Sequence, residues 1–379
     1  MATKKQARTA AQTRAKNTNA AKAPAAARIN DTAVFEQRLA RHHDELRWLY
    51  MELYGNSDMF AELIEQLRSY FDARPRALKA LDAQREGRAW YRDRAMLGMQ
   101  MYIDNFAGTI NGVKQQLPYL ERCHVNYLHL MPFLDTPTDK SRSDGGYAVK
   151  DFRRVKPELG TMDDLAHLAD QCHKRGISLC MDFVMNHTSD EHEWAQRARA
   201  GEGEYMSRYF FERNLDIINQ YTRDVPQVFP TTAPGHFTYL PELGQSVMTQ
   251  FYPYQWDLNY RNPRVFNEMM YNFLYLANQG MDIIRIDAVP YIWKQLGTNC
   301  RNLPQVHTIV RMMRMIGEIV APGIVLLGEV VMAPVEGRAL LWHRGEARVP
   351  HALQRDHHGH HLAHRGNARR SPAPAAARR

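Results

Sequence analysis

Apolar side chains recur at helical spacing over residues 31–95. Asp31 or Thr32 is a candidate N-cap for a first helix that ends at Gly55, and Ser57 is a candidate cap for a second. One face of each helix carries its large apolar residues, which are Phe35, Leu39, Leu46, Leu49 and Leu53 in the first and Phe60, Leu63, Ile64, Leu67 and Phe71 in the second. We therefore predict a helical domain over 31–95, preceded by a disordered basic tail over 1–30.

From residue 97 the pattern changes to short apolar runs that alternate with longer amphipathic ones. The runs predicted as strands are 99–106, 125–132, 177–184, 281–289 and 324–330, and those predicted as helices are 113–123, 162–174, 264–278 and 304–320. Strands that are apolar on both faces indicate a parallel sheet covered by helices. The predicted fold class is therefore α/β, of the (β/α)8 TIM-barrel type with about five strands present, after an α-helical N-terminal domain.

A long insertion interrupts this alternation after the third predicted strand. Residues 188–261 are rich in Tyr, Phe, Pro and Gln and separate that strand from its helix. Loops of this length inside a domain are usually functional, and barrel active sites are built from the loops that follow strands. We predict a loop-rich subdomain over 188–261 that shapes a site, with the barrel itself divided into 96–187 and 262–335.

Positive charge is concentrated at the two ends of the chain. The formal net charge is +8. Residues 1–28 hold seven Lys or Arg and no acid, while 337–379 hold nine Arg and two acids, so the chain between them carries −6. A nucleic-acid surface would place its positive charge on the folded body. This distribution argues against nucleic-acid binding, although the basic tails keep it open as an alternative that steep salt dependence would reveal.

Cysteine spacing and hydropathy argue against a protein with paired cysteines and against a membrane-spanning protein. The four cysteines form no CxxC pair, which favours buried, reduced thiols in a cytoplasmic protein. No run of about 18 apolar residues is present, so no membrane-spanning helix is predicted. The N-terminal segment lacks the apolar core of a secretory signal and resembles a transit peptide only loosely, so a solvated tail is the favoured interpretation.

Charged residues lie at the carboxyl ends of three predicted strands. Asp182 belongs to the third strand, Arg285 and Asp287 to the fourth, and Glu329 to the fifth. This is the face at which (β/α)8 enzymes assemble their sites, and uncompensated buried charge is costly in a purely structural role. Arg285 and Asp287 are two residues apart, so both project to one side, and the arginine would favour the ionised carboxylate that a nucleophile needs. Two carboxyl groups about 5–5.5 Å apart suit retaining glycoside chemistry.

Four motifs resemble those of the amylosucrases, in the α-amylase superfamily. They are SDGGYAV (143–149), NHTSDEHEWAQRA (186–198), QWDLNY (255–260) and RIDAVPYIWKQLGTNCRNLPQ (285–305). They occur in the family's order, and a helical domain ahead of the barrel fits as well. The resemblance covers about residues 31–335 and implies transfer of glucose from sucrose to an α-1,4-glucan, with release of fructose.

The resemblance also implies roles for individual residues. Asp287 would be the nucleophile, Glu329 the general acid/base and Arg285 the residue that positions the nucleophile. The donor glucose would contact Asp144, Tyr147, Asp182, His187 and Phe251. No cofactor is implied. Many α-amylases hold a structural calcium near the position of Asn186, but the amylosucrase resemblance predicts no metal. Taken alone, Tyr147 and Phe251 would fit core packing equally well.

After residue 335 the pattern is lost. Residues 336–379 are rich in Arg and His, which is compatible with a solvated low-complexity tail or a metal-binding tract. Sudden loss of pattern favours a third explanation, a frameshift in a GC-rich gene. The barrel's later strands, the family's third carboxylate and the arginine that would pair with Asp144 would then be missing. We accordingly expect this chain to fold poorly and to show little sucrose activity.

Other functions remain open at this stage. Within the superfamily the donor could differ, which would make the chain a sucrose hydrolase, an α-glucosidase or a trehalose synthase. A non-catalytic carbohydrate-binding protein is a further alternative. The presence of both Asp287 and Glu329 favours descent from an enzyme.

Overall fold

A parallel β-sheet flanked by helices organises the chain. The computed structural model describes residues 25–92, 94–142 and 144–331, together with the backbone of 342–343, 346–347 and 351–354. Residues 1–24 and most of the Arg- and His-rich segment 336–379 lie outside the described residues, and with them the disorder predicted for 1–24 and the origin proposed for the C-terminal segment. Residues 25–30, predicted as part of the disordered tail, instead belong to the first helix, so the prediction was wrong there.

The elements follow in chain order. The helices are α1 (Ala25–Tyr54), α2 (Ser57–Ala73), α3 (Arg76–Arg85), α4 (Ile103–Ala107), α5 (Ile110–Gln115), α6 (Leu117–Arg122), α7 (Met162–His173), α8 (Glu193–Arg199), α9 (Gly203–Met206), α10 (Leu215–Asp224), α11 (Pro263–Asn278) and α12 (Pro304–Val320). The strands are β1 (Gly98–Met101), β2 (Tyr127–Leu130), β3 (Leu134–Asp135), β4 (Asp151–Val155), β5 (Ser178–Val184), β6 (His187–Ser189), β7 (Phe211–Glu212), β8 (Phe237–Leu240), β9 (Gln245–Met248), β10 (Gln255–Asp257), β11 (Ile283–Asp287), β12 (Val325–Val330), β13 (Trp342–His343), β14 (Glu346–Ala347) and β15 (His351–Gln354). Short 3₁₀ turns cover Trp90–Arg92, Lys140–Arg142 and Val289–Tyr291.

The main sheet has the strand order β1-β2-β5-β11-β12-β15. All of its pairings are parallel, as the apolar runs predicted, and the sheet forms part of a barrel wall. The sixth strand was not predicted, since no strand period is visible after residue 335. Its backbone pairs Leu327 with His351 and Val330 with Gln354. The open edge of β12 accepts this short segment through main-chain hydrogen bonds, which need no particular side-chain pattern.

Helices α1 and α2 pack against α11 and α12 of the barrel. Helix α1 begins at Ala25, so the chain is already helical at Asp31 and Thr32, and the predicted cap there was wrong. Helix α2 begins at Ser57, but its N-cap is Asn56, whose side chain accepts a hydrogen bond from the Met59 N–H. An Asn side chain at this position satisfies the same free amide that Ser57 was expected to satisfy.

Two predicted elements of the barrel are divided in the structure. The first strand ends at Met101, and the chain then forms the short helix α4 up to Gly108, which has a left-handed φ of 76°. The helix predicted over 113–123 is two helices, α5 and α6. Pro118 explains the break, because it lacks an N–H and its ring clashes with the carbonyl four residues earlier.

The inserted segment 188–261 folds around small antiparallel sheets. Strand β9 lies between β7 and β8, while β10 pairs with β6 directly after the third barrel strand. The β6–β10 pairing brings Asp257 opposite His187. The insertion is thereby attached to the barrel at the carboxyl end of β5.

The cysteines are free thiols. Cys172, Cys180 and Cys300 are buried and Cys123 is half-buried. Burial raises the pKa of Cys172 and of Cys180 to about 12, which leaves both thiols protonated at neutral pH. Separately, none of the described helices has the length and apolar character that crossing a bilayer would require.

The stability of the junction between helices and barrel depends on Arg74. Its guanidinium bonds both oxygens of Asp82, at 2.6 and 2.8 Å, and the Ala277 carbonyl at 3.1 Å. We predict that Arg74→Ala lowers the free energy of unfolding by about 3–5 kcal/mol, because it leaves the Asp82 carboxylate buried and unpaired. Denaturant-induced unfolding measures this loss.

Arg41→Ala provides the matched control. Arg41 is exposed and its guanidinium lies 3.3 Å from Glu86. Loss of an exposed pair costs about 0–1 kcal/mol. Equal losses for the two variants would contradict the importance assigned to Arg74.

Candidate active site

Three neighbouring strands deliver charged side chains to one end of the sheet. The backbone register pairs Arg285 of β11 with Asp182 of β5, and Ile286 with Gly328 of β12. Because side chains alternate along a strand, Arg285 and Asp287 share a face. Glu329 follows Gly328 directly, so it reaches the same end of the sheet.

The Arg285 guanidinium contacts all three carboxyl groups. Nη1 hydrogen-bonds Asp182 Oδ1 and lies 3.3 Å from Asp287 Oδ1, while Nη2 lies 2.9 Å from Glu329 Oε1. Burial acts to lower the pKa of Arg285, but the three carboxylates outweigh it and raise that pKa further. Arg285, which the resemblance implied would position the nucleophile, therefore contacts Glu329 as well as Asp287.

Asp287 and Glu329 form a carboxyl pair that shares the guanidinium of Arg285. Burial raises the pKa of Asp287 well above its usual range, and Glu329 adds to this effect, while Arg285 acts in the opposite direction. The expectation that Arg285 keeps Asp287 ionised thus had the right sign for that contact but not for the net effect. The raised pKa favours the protonated form of Asp287.

The loop after β3 places Asp144 and Tyr147 beside the carboxyl pair. Asp144 Oδ1 accepts hydrogen bonds from the Gly146 and Tyr147 amides, each at 2.9 Å. Gly146 has a φ of 98°, and a Cβ there would approach Pro132 to 2.9 Å, so the tight turn requires glycine. Tyr147 is half-buried, and burial together with the charge of Asp182 raises the pKa of its hydroxyl. Its ring is available as an apolar platform beside the carboxyl groups.

His187 and Phe251 contact each other in the same region. Burial lowers the pKa of His187 to about 4, so its ring is neutral at physiological pH. Its Nε2 atom is buried without a hydrogen-bond partner among the described residues. The Phe251 ring centroid lies 5.2 Å from that of His187. A buried unpartnered nitrogen is costly, and a ligand hydroxyl could satisfy it.

All eight sequence-predicted site residues therefore lie in one cluster. Sequence reasoning missed two of their partners: His129, whose Nε2 lies 3.0 Å from Asp182 Oδ2, and Gln255, whose side-chain amide donates to Asp144 Oδ2 at 2.6 Å. It also missed Lys294, which hydrogen-bonds Asn186, the residue before His187. Asp144, for which the resemblance implies an arginine partner, is thus bonded by a glutamine. His129 could have been identified from the sequence, because it is a polar residue inside a predicted apolar strand. Gln255 and Lys294 lie within quoted motifs but gave no signal of their own.

Paired carboxyl groups, a shared arginine and an aromatic wall at the carboxyl ends of parallel strands define the class of barrel enzymes that act on glycosidic bonds. The chain belongs to the alpha-amylase family, since the family model described as "Alpha amylase, catalytic domain" matches residues 51–355. The match extends past residue 335, where the resemblance was expected to stop, and ends just after strand β15.

Individual relatives agree with this family. The chain is 38% identical over 230 residues to a trehalose synthase/amylase TreS of Mycolicibacterium smegmatis, a region that covers 60% of this chain and 37% of the relative. It is 36% identical over 203 residues to a glucosylglycerate phosphorylase of Spirochaeta thermophila, covering 53% and 32% of the two chains. The crystal structure of the trehalulose synthase MutB of Pseudomonas mesoacidophila matches with a TM-score of 0.60 and 25% identity, over 69% of this chain and 49% of that one. The chain thus spans well under two thirds of the length of these relatives.

The raised pKa of Asp287 predicts how Asp287→Asn changes stability. A carboxyl group whose folded-state pKa is raised destabilises the fold as pH rises from about 4, where unfolded Asp begins to ionise. We expect Asp287→Asn to increase the free energy of unfolding at pH 7 by about 0.5–2 kcal/mol, a range common for stabilising substitutions. The gain should shrink as pH falls towards 4. Urea unfolding at several pH values measures it.

Asp164→Asn is the control of opposite sign. Hydrogen bonds from Thr161 and Asn111 lower the pKa of Asp164, so its carboxylate stabilises the fold above pH 4. This variant should be less stable than the unaltered protein at pH 7. A stability gain for Asp287→Asn that does not change with pH would contradict the raised pKa of Asp287.

Proposed function

We propose that this chain carries the donor site of a retaining α-glucosyl-transferring enzyme that acts on a disaccharide α-glucoside, in the manner of a trehalose synthase. The observation that supports it most is the buried Asp287–Glu329 pair held by one guanidinium. One proton on two carboxyl groups is the state from which a nucleophile and a general acid can act together.

The reaction proceeds in two displacements. In the first, one oxygen of Asp287 attacks the anomeric carbon, the bond to the leaving oxygen breaks, and that oxygen takes the proton of Glu329. In the second, Glu329 removes the proton from an acceptor hydroxyl, which attacks the anomeric carbon and breaks the ester bond to Asp287. Two inversions give net retention of the α configuration.

The surrounding side chains suit a glucosyl unit. Tyr147 and Phe251 offer apolar faces to a pyranose ring, while the unpartnered His187 Nε2 and the second oxygen of Asp144 offer polar contacts to hydroxyl groups. Asp182 is already bonded by Arg285 and His129, so it acts on the sugar as a fixed, oriented acceptor.

Trehalose synthases are among the relatives with the strongest similarity. This similarity supports a reaction that exchanges one α-linked glucose disaccharide for another. A second candidate, amylosucrase, is favoured by the four motifs quoted above. The two differ in the leaving group, which is glucose in the first and fructose in the second. A sucrose hydrolase or an α-glucosidase would use the same donor site with water as acceptor.

A donor panel distinguishes these activities. We expect the chain to form trehalose from maltose, with little fructose from sucrose, and product analysis by anion-exchange chromatography measures both. Fructose release without trehalose formation would favour the amylosucrase alternative.

The stereochemistry of azide rescue tests the two catalytic assignments. With α-glucosyl fluoride, which needs no acid assistance, Glu329→Ala should form a glucosyl ester on Asp287 that azide converts to α-glucosyl azide. Asp287→Ala should instead give β-glucosyl azide by one direct displacement. Activity towards poor leaving groups should fall by about 10²–10⁴-fold in Glu329→Ala. If Glu329→Ala instead gave the β-azide and Asp287→Ala the α-azide, the roles of the two residues would be exchanged.

A further inference from the structure

Lys294 is a fully buried lysine that the reaction does not use. Its ammonium group lies among three oxygen atoms and has no exposed surface. It donates to the Tyr291 carbonyl at 2.7 Å, lies 2.9 Å from Asp257 Oδ1 and hydrogen-bonds Asn186 Oδ1. Desolvating a lysine is costly, so this arrangement requires strong compensation.

Asp257 connects the ammonium group to two other segments. Its Oδ1 also accepts a hydrogen bond from Asn186 Nδ2 at 2.6 Å, and its Oδ2 accepts one from the backbone N–H of Gln250 at 2.6 Å. Asn186 directly precedes His187, and Gln250 directly precedes Phe251. Lys294 itself belongs to the loop that follows Asp287, so one ammonium group joins three segments that carry site residues.

The oxygens at Asn186 do not fit the structural calcium that many α-amylases hold near this position. Calcium takes six to eight oxygen ligands at about 2.3–2.6 Å. Here the side-chain oxygen of Asn186 and one oxygen of Asp257 already bind an ammonium group. A divalent cation at the same oxygens would be repelled by that positive charge.

We propose that the Lys294 ammonium group takes the place of a structural cation and holds the segments bearing His187, Phe251 and Asp287 in register. Lys294 is thus a positioning residue, since it acts through Asn186 and Asp257 and touches none of the reacting atoms. These oxygen atoms suit a monovalent cation that is covalently attached to the chain, because they include a single carboxylate.

Thermal unfolding of Lys294→Ala tests this cation. Removing one partner of a buried pair should lower Tm by about 10 °C. Propylammonium has the size of the part of the side chain that is removed, so millimolar propylammonium should restore much of the loss, whereas propanol should not. Lys294→Met fills the apolar space without the charge, and propylammonium should leave it unchanged.

Lys174→Ala is the matched control. Lys174 is exposed and pairs with Asp170 at 2.6 Å, so its removal should change Tm by no more than about 1–2 °C with or without propylammonium. In the unaltered protein, neither calcium nor a chelator should shift Tm. This arm needs no variant, so it decides the question even if Lys294→Ala does not fold. Stabilisation by calcium, loss of stability on chelation, or an unchanged Tm in Lys294→Ala would overturn the proposal.

A kinetic readout separates positioning from general stability. The rate of fluoride release from α-glucosyl fluoride is followed in Lys294→Ala well below its Tm. We expect the half-saturating concentration to rise about tenfold with a smaller fall in the limiting rate, because His187 and Phe251 hold the sugar. Equal falls in rate at all concentrations would contradict positioning. This arm rests on the proposed function and the thermal arm does not, so their failures are distinguishable.

Discussion

The site depends on the guanidinium of Arg285, which is buried among the carboxyl groups of Asp182, Asp287 and Glu329. A lone guanidinium in this position would lose its hydration without compensation, and three carboxylates without it would repel one another. The guanidinium and the carboxyl groups therefore compensate one another's charge. Each comes from a strand whose register is set by main-chain pairing, so the sheet and the charged cluster support each other.

The same physical constraint shapes the chemistry. Arg285 contacts both members of the Asp287–Glu329 pair. Burial and the neighbouring Glu329 raise the pKa of Asp287. The arrangement brings two carboxyl groups together at the end of the sheet, as the breaking of a glycosidic bond requires, and it does so at a cost in stability.

A second buried cation organises the loops above the sheet. Lys294 binds Asn186 and Asp257 in the way that Arg285 binds the strand-end carboxylates. The first cation joins neighbouring strands, whereas the second joins segments outside the main sheet. His187 adjoins the second cluster, since its Nδ1 lies 3.2 Å from Asn186 Nδ2.

The sequence by itself determined the positions of the regular elements, because periodicity records which face of an element is buried. Helix α12 has the predicted bounds Pro304–Val320, and β5 differs by one residue at its start. Charged residues at the ends of predicted strands also singled out Asp182, Asp287 and Glu329 as candidate site residues. Only the tertiary structure decided that Arg285 is shared, that Gln255 bonds Asp144, and that Lys294 is a buried cation. These contacts join segments distant in sequence, and local pattern does not record which distant group fills a given space.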